Sequence, residues 1–450
     1  MKCGSIMLGV MSIDSRNYES ALQRVVKAWI VTGLAFLLAP GTFLGVWNLL
    51  MISGERSAAQ ISPAWIQAHG HAQIFGWIGT FILGIGFYSL SKMADVARFP
   101  VRRAWIAWAL WTAGVLLRWI ANVYELAWRV LIPTSAVSEL TAFLIFFGTV
   151  SRHKPQQQRP VGEKRPTWIL VVAASTQMFM IALGVNVAVA IWAAVKGTGP
   201  ALPHGLNQRF LALYAWGFPV LAIWGFNARW LPVFLGLRPP REGWLKAAVA
   251  AALAAVASAF WGAWLLFAIL ALVGSAMAAA SLHVFSRAIN PPKTLGVHPT
   301  FPAFVRLAYV WLLISAGIGL LAARFDAAGG LWGASRHALT VGFFSTMVFA
   351  IGQRVLPAFC GMHVLYSPRL MFMALALLNA GCLLRVASET GAYEGYAPAL
   401  WSALPVSAIL EMAAVTVFAA NLLITFTRRA PGRITAATLA PLRAPADQQS

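Results

Sequence analysis

The sequence predicts an all-α integral membrane protein: twelve transmembrane helices in three pseudo-threefold units of four. Three observations lead there, namely a scarcity of charge, twelve apolar runs of spanning length, and a motif that returns at fixed offsets. Of the 450 residues, 60% are hydrophobic and only 10% charged, with 20 Trp and 27 Phe. Mean hydropathy is +0.72. A soluble domain carries about 25% charged residues, so this chain cannot clothe a soluble surface.

Runs of about 20 apolar residues, enough to cross a bilayer, fall at 27–53, 66–91, 104–124, 136–151, 168–195, 209–235, 244–259, 260–285, 303–323, 335–359, 370–388 and 401–427. The seventh and eighth come from one stretch too long for a single helix, divided near Ser258. With the N-terminus inside, 24 Lys and Arg fall in cytoplasmic segments and 6 in outer ones. That asymmetry follows the positive-inside rule and places both termini in the cytoplasm. The net charge of +21 is then a topology signal, not a sign of a nucleic-acid partner. Residues 1–26 lack an apolar h-region, so no cleaved signal peptide is expected. Cys3, Cys360 and Cys382 form no CxxC and suggest neither a disulfide framework nor a thiolate metal site.

The chain repeats itself. His71-Ala-Gln-Ile-Phe-Gly-Trp77 in the second helix returns as His337-Ala-Leu-Thr-Val-Gly-Phe343 in the tenth, an offset of 266. Ala113 to Arg118 in the third returns as Ala380 to Arg385 in the eleventh, an offset of 267. The sixth helix joins through Trp216-Gly-Phe-Pro and Arg229-Trp-Leu-Pro232, which match the tenth at an offset of 125. Helices four, eight and twelve are expected to end in Val150-Ser-Arg152, Phe285-Ser-Arg287 and Phe426-Thr-Arg428. The simplest organisation is a single polytopic domain with units at about 27–152, 168–287 and 303–428, flanked by cytoplasmic tails. A parallel repeat is allowed because four helices return the chain to its starting side.

Topology also sorts the eight histidines. His153, His298 and His363 fall in cytoplasmic loops and read as solvated residues, and His283 lies at the inner end of helix eight. His69, His71, His204 and His337 lie toward the outer ends of helices, where an ionisable residue within a span marks an interior site. His71 and His337 occupy equivalent repeat positions. They could face each other as the two axial ligands of a haem, or be interior histidines hydrogen-bonded across helices. His69 points about 200° away from His71 on an ideal helix, so it could serve a second metal, a propionate or the rim of the bundle. His204 sits in a turn-rich outer loop, as a surface residue with a possible second metal role. Arg118 and Arg385 lie at the depth of the histidine pair and need counter-charges. Haem propionates would serve, and so would Glu139 and Glu411 across helices. Arg229 and Arg354 lie near the inner ends, where snorkelling explains them.

These motifs carry a resemblance. His69-Gly-His-Ala-Gln-Ile-Phe-Gly76 is similar to the His-x-His-x-x-x-Phe-Gly of the NnrS family, haem-copper-type membrane proteins linked to nitric oxide metabolism. His337 to Met347 is similar to that family's tenth-helix segment, and Arg229 to Phe234 to its Arg-x-x-Pro-x-Phe. More distantly, the layout resembles subunit I of haem-copper oxidases. The resemblance implies a bacterial inner-membrane protein with haem, b-type because no CxxCH occurs, and with nitric oxide or a quinol as small-molecule partner. This sequence departs from the oxidases in having no copper-binding histidines within helices six and seven, and Ser335 in place of a further haem ligand. One bis-histidine haem follows, and any copper must draw on His69, His204 and outer-loop groups. A degenerate oxidase subunit that transfers electrons or oxidises quinol is a second expectation. A cofactor-free transporter is a third, although transporters favour inverted repeats and this repeat is parallel.

Overall fold

The computed structural model describes residues 13–57, 61–93, 98–152, 165–362 and 364–428, so Cys3, His153 and His363 lie outside the described residues. Among the described residues the fold is entirely helical. Twelve helices are long and apolar enough to span a bilayer: α1 (Asn17–Glu55), α2 (Pro63–Ser89), α3 (Val101–Tyr124), α4 (Trp128–Ser151), α5 (Thr167–Lys196), α6 (His204–Phe234), α7 (Glu242–Phe260), α8 (Trp264–Ser281), α9 (Phe301–Phe325), α10 (Gly330–Phe359), α11 (Pro368–Tyr393) and α12 (Pro398–Thr427). The chain is a multi-pass membrane protein.

Several spans begin earlier than the sequence expectation, α1 at Asn17, α4 at Trp128 and α6 at His204, and two inner boundaries also shift. The break between α7 and α8 comes at Trp261 to Ala263, three residues beyond Ser258, where Gly262 takes a φ of +76° that a residue with a side chain adopts only under strain. Helix α8 ends at Ser281, so Phe285-Ser-Arg287 lies beyond it, and His283 turns the chain with a φ of +54°. His298 is not simply solvated either. Its Nδ1 contacts Thr300 Oγ1 at 2.7 Å at the start of α9, and its ring packs on Phe372.

Helices α2, α6 and α10, which share the sequence template, form the interior. Buried residues make up 78, 89 and 78% of their most apolar windows, against 39 to 50% in the other nine. They touch one another directly: Phe75 meets Tyr214 and Phe210 between α2 and α6, Trp77 meets Phe349 between α2 and α10, and Asn227 Nδ2 reaches Met347 Sδ between α6 and α10. Each also winds through a π-helical stretch, at Ala72–Gly79, Trp216–Val220 and Ala338–Ser345. In α6 this stretch contains Pro219, which has no N–H to give to a regular ladder.

Close approach is licensed by three template glycines. A Cβ on Gly76 would stand 3.0 Å from Phe36 of α1, one on Gly217 3.2 Å from Met178 of α5, and one on Gly342 2.5 Å from Trp311 of α9. Each inner helix thus packs tightly on the helix that precedes it. Three hairpins, α3 with α4, α7 with α8 and α11 with α12, use the same device: Gly114 lies on Glu139, Gly274 on Ala248 and Ala252, and Gly381 on Glu411.

Gly342→Ala should therefore force Trp311 aside and lower stability by about 1–3 kcal/mol, the usual cost of overpacking. Gly184→Ala, where nothing lies within 4 Å of the added carbon, should leave thermal unfolding in detergent unchanged or raise it slightly.

Candidate functional site

The buried histidine, arginine and glutamate side chains of the interior gather at one end of the bundle, where α2, α6 and α10 begin and α3 and α11 end. They divide into two groups, and the division is not the one the repeat suggests.

The first group surrounds His337. Its Nδ1 lies 3.0 Å from the Gly333 carbonyl and 2.8 Å from Glu389 Oε2. Both oxygens only accept, so Nδ1 carries the proton and Nε2 the lone pair. Arg385 Nη2 donates to that lone pair across 3.2 Å, and Arg385 Nε donates to Glu389 Oε1 at 2.8 Å. Glu389, buried with Arg385, therefore has both oxygens engaged. Room for it comes from the first turns of α10, where a Cβ on Gly330 would stand 2.7 Å from the Glu389 carbonyl and one on Gly333 3.4 Å from its carboxylate. Glu411 of α12 lies within electrostatic reach of Arg385, His337 and Glu389.

His69 belongs to this group. It lies within electrostatic reach of His337 and Arg385. Its Nδ1 donates to the Gly41 carbonyl at 2.9 Å, which leaves its Nε2 lone pair uncommitted. The ring fits in a groove on α1 that only glycine permits, since a Cβ on Gly45 would come 2.5 Å from Cε1. Gly41 itself lies in the π-helical stretch Leu37–Phe43, wound around Pro40.

His71 turns elsewhere. Its Nε2 donates to Glu139 Oε1 of α4 at 2.7 Å, and its ring stacks on Phe75 with centroids 4.4 Å apart. Asn186 of α5 donates to the other Glu139 oxygen at 3.1 Å. Arg118 lies within electrostatic reach of Glu139 and Tyr214, with its Nε and Nη1 buried and unpartnered. The structure thus brings His337, Arg385 and His69 together and places His71 and Arg118 in a second cluster around Glu139. The physical reason is Glu139: a buried carboxylate takes the nearest imidazole N–H rather than remain unpaired.

His204 opens α6, exposed, with Gln208 Nε2 at 3.3 Å from its Nε2. Among the described residues no three His, Cys, Asp or Glu side chains gather around a common metal position. Ser335, where the oxidases have a histidine, exchanges hydrogen bonds with Ser315 of α9, each hydroxyl donating to the other's carbonyl at 2.8 Å. Arg229 is exposed, and Arg354 lies over the Phe234 ring at 5.3 Å. Glu389 was missed by the sequence reading. Its signal is the Arg385 to Glu389 spacing of four, which puts the two on one helix face.

This architecture defines a class: a twelve-helix membrane protein with the haem-copper oxidase fold. The chain is similar to the subunit in a cryo-EM structure of a heme-copper terminal oxidase dimer, with a TM-score of 0.60 and 12% identity over 91% of this chain and 85% of that one. No curated protein sequence matches it. Residues 29–429 match the family model described as NnrS protein, and the chain belongs to the NnrS family.

Glu389→Gln should remove the charge that offsets Arg385 and the acceptor that fixes His337. Breaking a buried pair by removing one partner costs about 3–5 kcal/mol, so the variant should unfold well below wild type in a thermal scan. Glu125→Gln, at an exposed position between α3 and α4, should change little.

Proposed function

We propose that the chain binds one haem between α2 and α10 and acts in nitric oxide or nitrosative-stress metabolism in the inner membrane, with both termini in the cytoplasm. The supporting observation is the shared state of His69 and His337. Each ring donates Nδ1–H to a carbonyl or carboxylate, the usual outer partner of a metal-ligating imidazole, and each keeps its basic nitrogen at Nε2. Two such imidazoles on different helices suit the axial positions of a haem iron. His69 takes the place the sequence reading gave to His71. The haem would be held without covalent attachment, since no CxxCH occurs.

The chain's own residues divide the remaining work. Glu389 and Gly333 fix the His337 tautomer, Gly41 fixes that of His69, and the α1 groove sets the orientation of the His69 ring. Arg118 and Arg385 are the expected partners of the propionates: Arg118 Nε and Nη1 and Arg385 Nη1 are buried donors without acceptors, a state that costs more for charged groups than for neutral ones. Arg385 would exchange its contact with His337 Nε2 for a carboxylate. The group itself would supply a one-electron redox centre. The three stretches 27–152, 168–287 and 303–428 are read as units about an approximate threefold axis, supported by the central place of α2, α6 and α10 and their matching glycines.

A second reading is favoured by the same pair. His69 and His337 would together hold the haem iron from two helices, an arrangement that would suit electron transfer with a quinol as donor. Quinol-dependent reduction of the purified protein separates the two.

Oxidised and reduced visible spectra provide the main test. Wild type produced with ample haem should show a Soret band with the sharp reduced α band of a low-spin haem. His69→Ala and His337→Ala should lose that low-spin signature, while His71→Ala should keep it. Absence of any band in wild type would refute haem binding, and the reverse pattern, with His71 essential and His69 dispensable, would overturn the ligand pair.

A further inference from the structure

We propose that the loops joining α6 to α7 and α8 to α9 form a binding site for the phosphate headgroup of an anionic phospholipid. They lie at the end of the bundle opposite the histidines, so the site is independent of the haem reading.

The charge is one-sided. Between Leu235 and Thr300 the chain carries Arg238, Arg241, Lys246, Arg287 and Lys293 against a single acid, Glu242. All five cations are exposed, and among the described residues none of them forms an ion pair. Basic loops on one side of a membrane protein follow from topology alone. This set differs in being held in place by its backbone.

The two loops are woven together. The Ile289 and Asn290 N–H groups donate to the Gly236 carbonyl at 2.8 and 3.2 Å, and the Lys293 N–H donates to that of Phe234 at 2.9 Å. Gly236 permits this with a φ of +66°, and a Cβ there would strike the Asn290 carbonyl. The Arg241 N–H donates to the Ser281 carbonyl at 3.0 Å, and Ser281 Oγ donates back to the Arg241 carbonyl at 2.9 Å. Arg306 of α9 ties the second loop from the other side, donating to the carbonyls of Val284 at 3.0 Å and Ser286 at 3.4 Å.

The guanidinium groups of Arg238 and Arg241 are thereby brought within electrostatic reach of His283, where the chain turns with a φ of +54°. Burial, with the charges of Arg241 and Arg238, holds that imidazole below its ordinary value. Cations fixed at such range repel one another until an anion neutralises them. A guanidinium matches a phosphate with paired N–H donors.

The surroundings select a lipid over a free anion. Trp244, on the first turn of α7 after Arg241, is about half exposed, as are Phe285 and Ile289 on either side of Arg287. An apolar rim containing Trp is at home at the headgroup level of a bilayer, where each nearby Lys or Arg attracts an anionic headgroup. A free phosphate would meet the cations and leave the rim in water.

The intact chain in discs of dioleoylphosphatidylglycerol, compared with discs of dioleoylphosphatidylcholine, tests the proposal. The anionic lipid should raise the unfolding temperature, and native mass spectrometry should find it retained on the chain in preference to the zwitterionic one. Arg238→Gln combined with Arg241→Gln should weaken that retention about tenfold or more. Arg102→Gln combined with Arg103→Gln removes the same charge from exposed positions at the same end of the bundle and should leave retention unchanged. Phe285→Ser should weaken it without any change of charge. All these side chains are exposed, so each variant should melt as wild type does in phosphatidylcholine, and Phe285→Ser reports even where a charge variant does not fold. The proposal is overturned if the two lipids are retained equally, or if both double variants lose phosphatidylglycerol to the same extent. It is overturned equally if inorganic phosphate added to phosphatidylcholine discs gives the whole stabilisation.

Discussion

The ion pair between Arg385 and Glu389, closed by His337, is the interaction around which the polar end of the bundle is organised. Inside twelve apolar helices a lone carboxylate or guanidinium would cost several kcal/mol in lost hydration. Here each member discharges the cost of another. Glu389 accepts from Arg385 and His337, and Arg385 reaches His337 on its far side. Two of these contacts tie α10 to α11, and the glycines at the start of α10 make room for them. His69 in its α1 groove lies within electrostatic reach of the same cluster.

The two halves of the duplicated pattern have kept their positions and exchanged their bonding. Arg118 and Arg385 sit at matching places, and Gly114 packs on Glu139 as Gly381 packs on Glu411. Yet His71 is bound by the carboxylate of Glu139 on the fourth helix, while His337 is bound by that of Glu389, four residues beyond Arg385 on the eleventh. Glu411, the positional match of Glu139, is left with one oxygen unpartnered. At His71 the Nε2–H is committed to Glu139, whereas at His337 Nδ1 is committed to Glu389 and Gly333 and Arg385 meets Nε2.

Much of the fold was legible because crossing a bilayer requires only apolar length, and the inner helices could be picked out because they shared a template. The finer errors have local causes. The α7 to α8 break was placed early because Ala-rich sequence gives no signal until Gly262. Phe285-Ser-Arg287 imitated a helix end by composition while the chain had already turned at Ser281. In the site, Arg118, Arg385 and His337 were identifiable as rare ionisable residues within spans. The partners of His69 and His71 were not, since the pairing of His71 with Glu139 and of His69 with Gly41 joins separate elements and no spacing encodes it. Glu389 could have been found from its register with Arg385, whereas the mutual pairing of Ser315 and Ser335 could not.

The π-helical stretches carry a consequence for how this chain can vary. Each adds a residue to a turn without adding to the number of crossings, so the segments before and after it point in directions that regular winding would not join. Deleting any one residue within Ala338–Ser345 would restore the ordinary 3.6-residue turn and rotate one part of α10 against the other by about 100°. The span would still be long enough for the bilayer and still as apolar, yet His337 would no longer face Glu389. Substitutions in the inner helices are a matter of volume, but their residue count behaves as a fixed quantity, and a single-residue deletion there is a change of angle.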